Sequence, residues 1–401
     1  MINSNNQIES VLQGIKDVVG SCSIDNPISL HVPTFQGTNA WSYVKNCIDT
    51  GWVSSAGSWV SRFEDQLCTV TGSKHAVAVT NGTVALRLAL HLVGVRSGDE
   101  VLLPPLSFVA SANAISHLGA IPHFVDVDSS SLGLCPLALS SRLDSIALWS
   151  DGVLLNRETG RRIAAILPVH VFGLPADVIN LRSVADYWRL PMVEDAAEAL
   201  GSLRADIHCG LFGSIGILSF NGNKLITTGG GGALITNDAS LALKARHLST
   251  TAKLPHPWAF HHDEIGWNDR MPNLNAALGY AQLEQLDFRL LLKRQLTQRY
   301  VESFSNIDGV EILVDPVNCR SNNWLTTLRF LDVDSSIAKR SCLELLRQSH
   351  EIGLLLRPIW SPLHKTIMYS SCPSGPLPHA ENQAFRLVNL PSSPQLLQSP
   401  L

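Results

Sequence analysis

The stretch Leu218-Ser219-Phe220-Asn221-Gly222-Asn223-Lys224-Leu225-Ile226-Thr227-Thr228-Gly229-Gly230-Gly231-Gly232 decides how this chain is read. It predicts a short buried strand over 215–220, a tight polar turn carrying one lysine, and a glycine run entering a second strand over 233–236. A lysine set between apolar strands and crowded by small residues is where a Schiff-base lysine belongs. Desolvation favours the neutral, nucleophilic amine of such a lysine, and glycines let a flat cofactor approach the backbone. Taken alone, the same residues also fit a solvated turn lysine ahead of a flexible loop, so the rest of the chain has to decide.

Outward from that segment, strands and helices alternate. Strands are predicted at 75–80, 100–105, 121–127, 163–171, 192–195, 215–220 and 233–236, with helices such as 83–93, 109–117 and 178–188 between most of them. Several of these strands are continuous apolar runs, as expected when helices cover both faces of a sheet. Seven strands at this spacing specify an α/β domain with a mainly parallel sheet. The last two are joined by the lysine–glycine segment alone, too short for a helical crossover, so that pair is expected to be antiparallel.

The flanks are read the same way. Residues 1–30 hold an amphipathic helix (Ile8, Val11, Leu12, Ile15, Val18, Val19) and a linker, an N-terminal arm that is either appended or packed. A helix at 39–50 carries Trp41, Val44 and Ile48 on one side. The loop Gly51-Trp52-Val53-Ser54-Ser55-Ala56-Gly57 has the composition of a ligand-facing loop as much as of a connector, and a helix with Val60, Phe63, Leu67 and Val70 ends at Gly72. The large domain is placed at 31–270. One long helix over 271–300 is expected to bridge to a smaller α+β unit, so that 271–401 forms the bridge and the C-terminal domain. That unit would hold strands at 310–314 and 324–330, a helix at 336–350, and the proline-rich Arg357-Pro358-Ile359-Trp360-Ser361-Pro362-Leu363-His364.

Composition sets outer bounds. A chain of 401 residues with 45% hydrophobic and 16% charged residues has an ample core and about two domains. A net charge of −4 gives no electrostatic case for nucleic acid or an anionic membrane. Eight cysteines (22, 47, 68, 135, 209, 319, 342, 372) without a Cys-x-x-Cys pair suit reduced thiols in a cytoplasm. The opening Met1-Ile2-Asn3-Ser4-Asn5-Asn6-Gln7 does not read as a signal peptide, and no apolar run reaches the ~18 residues of a membrane span. His256, His261 and His262 have neither a cysteine nor a paired acid to complete a ligand set, so no metal is expected.

Four features converge on Lys224. Thr80-Asn81-Gly82-Thr83-Val84-Ala85-Leu86 runs from strand to helix. A helix start there offers free N–H groups and a positive dipole end to a phosphate, although Asn81 as an ordinary cap explains it equally well. Val193-Glu194-Asp195-Ala196-Ala197-Glu198 ends an apolar strand on an acid. A buried carboxylate there needs a cationic partner: a protonated pyridine nitrogen, or an ordinary cap or salt bridge. Pro105-Leu106-Ser107-Phe108-Val109-Ala110-Ser111 places Phe108 where it stacks on a flat ring or simply fills the core. Gly266-Trp267-Asn268-Asp269-Arg270-Met271-Pro272-Asn273 is a polar loop before the long helix. Phosphate donors, a ring face, a ring-nitrogen partner and an amine, gathered at the carboxyl ends of one sheet, fit pyridoxal 5′-phosphate.

These residues resemble the nucleotide-sugar aminotransferases of the DegT/DnrJ group, PLP-dependent enzymes of fold type I. The nearest likeness is to the branch serving legionaminic-acid and similar bacterial sugar pathways. The match is carried by Gly51-Trp52-Val53-Ser54-Ser55, Asn81-Gly82-Thr83, Glu194-Asp195-Ala196-Ala197-Glu198, Ser219-Phe220-Asn221-Gly222-Asn223-Lys224 with Thr227-Thr228-Gly229-Gly230-Gly231-Gly232, and Asn268-Asp269-Arg270-Met271. It runs from about residue 30 to Ser393.

The resemblance implies a role for each matched position. Lys224 bonds the cofactor and then acts as general acid–base. Asp195 pairs with the pyridine nitrogen, Phe108 covers one ring face, and Glu198 stands near the ring hydroxyl, where family members often have Gln or His. Gly82, Thr83 and Ser219 hold the phosphate, and Asn268 reaches the phosphate of the neighbouring subunit in a homodimer with shared sites. Ser54, Ser55 and His364 lie near the sugar nucleotide. Relatives continue past Asn389-Leu390-Pro391-Ser392-Ser393 into a further helix, whereas this chain stops at Leu401, so the small domain is expected to be slightly short. The implied reaction moves an amino group from glutamate to a nucleotide-linked 4-keto-6-deoxy sugar in the cytoplasm. The alternatives are a PLP-dependent sugar dehydratase, which the family builds with histidine in place of the lysine, and an inactive PLP-binding regulatory paralogue.

Overall fold

A computed structural model of the protein describes residues 4–332 and 334–397. The opening Met1-Ile2-Asn3 and the stop at Leu401 lie outside the described residues. Seven strands form one sheet in the order His75–Val79, Gly232–Thr236, Ile215–Ser219, Val193–Asp195, Ile163–Ile166, Glu100–Leu103, Ile121–Phe124. The two halves of this sheet join where Met192 bridges Ile166 and Asp195 bridges Val169. Every neighbouring pair is parallel except those of Gly232–Thr236, which is antiparallel to both its partners. The fold class and the antiparallel last strand are as the sequence implied. Helices Gly82–Leu92 and Val178–Trp188 return the chain between strands, and Val193, Ile217, Ala233 and Ile235 are buried to within 1%.

Gly232 shows how tightly the sheet meets the first strand-to-helix turn. A Cβ built there would lie 2.5 Å from the carbonyl carbon of Asn81 and 2.6 Å from the Gly82 nitrogen. Glycine at this position therefore serves close approach of backbone to backbone.

Two expectations need correction, and one hairpin went unread. The single helix at 271–300 is two, Asn273–Leu283 and Leu286–Phe304. The break falls at Glu284 and Gln285, where the Glu284 carboxylate accepts from Tyr43 Oη at 2.8 Å and Asn39 Nδ2 at 3.0 Å. The first helix packs on Ala40–Asp49 and Ser58–Thr71 while the second turns its apolar side to the C-terminal unit. The strand at 163–171 ends at Ile166, because Pro168 has no N–H to continue the ladder; beyond it lie a bridge at Val169 and a 3-10 turn, Val171–Gly173. A hairpin, Ala147–Ser150 with Val153–Asn156, was missed. Its turn is Asp151-Gly152, both at positive φ (49° and 80°), the signature of a tight two-residue hairpin loop.

The C-terminal unit is an antiparallel sheet of Val310–Ile312, Thr326–Phe330, Leu387–Leu390 and Arg357–Pro358, backed by helix Ser335–Glu351. Helix Ser4–Val19 packs into its core. Ile8, Val11 and Ile15 are buried against a cluster that includes Leu296, Tyr300, Phe304 and Phe330. Of the two readings of the first residues, the packed helix is the one observed.

Gly232→Ala should lower stability by about 1–3 kcal/mol through this backbone clash. Gly222→Ala, which meets no atom within 4 Å, should leave the urea midpoint unchanged or slightly raised. Equal midpoints for the two variants would refute the close-approach argument.

Candidate active site

The turn after His75–Val79 starts helix Gly82–Leu92, with the Asn81 side chain accepting the Val84 N–H at 2.9 Å. That cap leaves the Gly82 and Thr83 N–H groups as the unpaired first-turn donors of an eleven-residue helix. A Cβ on Gly82 would come within 2.9 Å of Ser219 Cβ, so this helix start and the end of strand Ile215–Ser219 are pressed together. Beside them opens a cavity of about 350 Å³. Its polar lining includes Asn81, Gly82, Thr83, Ser107, Ser111, Asp195, Glu198, Ser219 and Lys224, and its aromatic lining Phe108, Trp324 and Trp360.

Lys224 Nζ reaches Glu198 Oε1 at 3.1 Å and lies 3.9 Å from the centroid of the Trp324 ring. The other Glu198 oxygen accepts the Phe172 N–H at 2.9 Å. Phe172 is buried and left-handed (φ 57°), an unusual state for an aromatic residue that persists only where surroundings impose it. Asp195 is 5% exposed and makes no ion pair among the described residues. Its oxygens accept from Ser111 Oγ at 2.6 Å and the Ala197 N–H at 3.1 Å, and Ser111 in turn meets Ser107 Oγ at 2.7 Å. Burial pushes the Asp195 carboxyl above the usual carboxylate range, opposed by the Ser111 hydroxyl. Burial likewise raises Glu198, opposed by the Lys224 charge. Two buried carboxylates thus face one ammonium, and the site has room for one more cation.

Of the residues expected at the site, Gly82, Thr83, Phe108, Asp195, Glu198, Ser219 and Lys224 line this one cavity. Glu198, expected near a ring hydroxyl, here holds the lysine. Asn268, Ser54, Ser55 and His364 are not among the cavity's lining residues in their own chain. Asn268 is exposed between Thr250, which it bridges, and Asp269, which pairs with Arg87 and accepts the Thr80 N–H at 2.8 Å. Ser54 is exposed in a loop whose carbonyl takes the Asn273 N–H at 2.7 Å, with half-buried Ser55 beside it. His364 Nε2 is 3.1 Å from Glu381.

Ser107, Ser111, Trp324 and Trp360 were missed. The two serines stand four residues apart in the junction already quoted, Ser107 in the loop before helix Ala110–Ser116 and Ser111 in its first turn. The tryptophans come from the C-terminal unit, and no local pattern ties them to Lys224.

Comparison with known proteins bears directly on this arrangement. Residues 36–400 match the DegT/DnrJ/EryC1/StrS aminotransferase family. The chain belongs to that family. It is 34% identical over 370 residues to the GDP-perosamine synthase of Escherichia coli O157:H7, covering 92% of this chain and 94% of that one. EpsN of Bacillus subtilis (strain 168), named for pyridoxal phosphate-dependent aminotransfer, is 36% identical over 322 residues, 80% of this chain and 79% of its own. The crystal structure of the aminotransferase TlmJ from Streptoalloteichus hindustanus superposes with a TM-score of 0.80 at 29% identity, covering 91% of this chain and 93% of that one. The protein is therefore a PLP-dependent sugar aminotransferase of fold type I.

The cavity of this family member fits that cofactor. Unpaired N–H groups at a helix start suit a phosphate, and a buried carboxylate with no cation suits a protonated ring nitrogen. Asp195→Asn should stabilise the cofactor-free protein at pH 8 by about 1 kcal/mol, the scale of one buried polar group's desolvation. Folding raises the Asp195 carboxyl, so the wild type loses stability as pH climbs from the unfolded to the folded pKa. The advantage of Asn is full above that window and vanishes below it. Thermal melts of the cofactor-free proteins from pH 4 to 9 measure this; an Asn variant less stable at pH 8 would contradict the desolvation account.

Proposed function

We propose that this enzyme transfers the amino group of glutamate to a nucleotide-linked 4-keto-6-deoxy sugar, giving a 4-amino sugar for bacterial surface-glycan biosynthesis. The observation that carries the reading is the Lys224 ammonium in one cavity with Asp195, a buried carboxylate that makes no ion pair among the described residues. Likeness to GDP-perosamine synthase, named for a GDP-linked amino sugar, supports a sugar nucleotide as acceptor.

When bound, pyridoxal phosphate supplies an electron sink for the negative charge left at a carbon that loses its proton. Asp195 would keep the ring nitrogen protonated, and the hydrogen bonds that Ser111 and the Ala197 N–H donate to it favour its ionised form and fix its carboxylate. The Gly82 and Thr83 N–H groups and the Ser219 hydroxyl hold the phosphate at the positive end of helix Gly82–Leu92. Phe108 covers one ring face, and Glu198 serves the ring hydroxyl as well as the lysine. Lys224 Nζ takes the proton from the donor carbon and later delivers one to the sugar carbon, a general acid–base role. The aromatic lining of Phe108, Trp324 and Trp360 excludes water from that exchange.

The exposed Asn268 reaches the phosphate of a neighbouring subunit in a homodimer with shared sites, and Ser54, Ser55 and His364 serve the sugar nucleotide. A cytoplasmic setting agrees with the eight free cysteines, and among the described residues no helix is long and apolar enough to cross a membrane. Lys224 argues against a dehydratase, and the intact Lys224–Asp195–Ser219 set against an inactive regulator.

The purified enzyme with pyridoxal phosphate should show a visible cofactor band that bleaches with L-glutamate. Lys224→Ala and Lys224→Arg should both abolish that bleaching and the activity; retained activity in Lys224→Arg would contradict the covalent role. Mixing Lys224→Ala with Asn268→Ala should restore activity, because one mixed site then carries both native residues. No restoration would remove the shared-site dimer.

A further inference from the structure

We propose that Trp324 and Glu198 together form a seat for the free ammonium of Lys224, with Trp324 a positioning residue for the transamination. This rests on the reading above in one respect, that Lys224 is the reacting lysine. The ammonium lies 3.9 Å from the indole centroid, inside the range of a cation–π contact, and 3.1 Å from a Glu198 oxygen. The Lys224 side chain is only 13% exposed, so both attractions act with little screening by water.

The seat is built rather than incidental, because Trp324 is held at three points. Its N–H donates to Asn322 Oδ1 at 2.9 Å, and its indole Nε1 donates to the carbonyl of Asn223, the neighbour of Lys224, at 2.8 Å. Its carbonyl accepts from the buried Lys293 Nζ at 2.6 Å. Asn322 also donates through Nδ2 to the carbonyls of Glu198 and Leu200, at 2.8 and 2.9 Å. One amide side chain therefore sets the spacing between the two walls of the seat. The Glu198 carboxylate is fixed from its far side by the strained Phe172 N–H.

Such a seat answers a need of the reaction. A lysine that bonds a cofactor and then acts as acid–base spends part of each cycle as a free amine on a flexible four-carbon stem. Held by a carboxylate on one side and a ring face on the other, the amine stays in the cavity. The ring face makes no directional hydrogen bond, so the amine can leave toward the reacting carbon.

The test uses cofactor-free enzyme and amine acetylation, scored at Lys224 by mass spectrometry with the exposed Lys74 as internal reference. Trp324→Leu should raise Lys224 labelling about fivefold relative to Lys74, the scale of a partly desolvated cation–π contact. Trp324→Phe, which retains a weaker ring face, should raise it about twofold. Asn322→Ala should raise it as well, since both walls loosen. Lys224 labelling unchanged in Trp324→Leu and Trp324→Phe, with native circular dichroism, overturns the proposal. If Trp324→Leu does not fold, Trp324→Phe decides alone. The functional reading fails separately: a protected Lys224 without a glutamate-bleached band leaves the seat and removes the aminotransferase assignment.

Discussion

Asp195 sits 5% exposed at the end of a central strand, and its direct partners among the described residues are a serine hydroxyl and one backbone N–H. An ionised carboxylate in such a place is costly without a cation, and the nearby Lys224 pairs with Glu198 instead, so among the described residues Asp195 makes no ion pair. The fold tolerates the cost because Val193–Asp195 lies between two parallel neighbours, through Ile215 to Ile217 on one side and Val169 on the other. The sheet holds the acid on the wall of the cavity beside Lys224 and Glu198. Helix Gly82–Leu92 starts beyond the edge strand His75–Val79, and its Gly82 lies against Ser219, the end of the strand beside Val193–Asp195.

The glycines in this region do more than permit a turn. Gly232 lets a strand lie against the Asn81–Gly82 backbone, and Gly82 lets the helix start lie against Ser219. Both contacts bring the first-turn N–H groups of helix Gly82–Leu92 and the lysine segment to one wall of the cavity. An added methyl at either position would push apart groups whose value lies in their separation.

Much of this was legible in the sequence because it is local. The Lys224 turn, the acid at the end of an apolar strand and the strand-to-helix junctions each declare themselves within about seven residues. The short glycine linker alone implied the antiparallel last strand. What escaped was set by tertiary context. The break at Glu284 depends on Tyr43 and Asn39, some 240 residues away in sequence. Trp324 reaches Lys224, and Trp360 the same cavity, only because the C-terminal unit docks beside the sheet. Ser111 was within the quoted junction, and only its distance to Asp195 separates it from an ordinary buried serine.

The C-terminal unit is therefore part of the site as well as a neighbour to it. Trp324 enters strand Thr326–Phe330 with its carbonyl held by Lys293 of helix Leu286–Phe304. That helix in turn buries Leu296, Tyr300 and Phe304 against Ile8, Val11 and Ile15 of helix Ser4–Val19. Lys293 is fully buried with carbonyl oxygens as its acceptors, and burial drives its amine well below the usual lysine range. Both acceptors, Trp324 and Ser392, lie just beyond the ends of the two central strands of the small sheet, so the lysine satisfies two carbonyls where the units meet. An apolar residue there would leave those carbonyls unpaired in the interior. The first helix, the bridging helix and the tryptophan beside Lys224 thus form one packed path that ends at the wall facing the Lys224 amine.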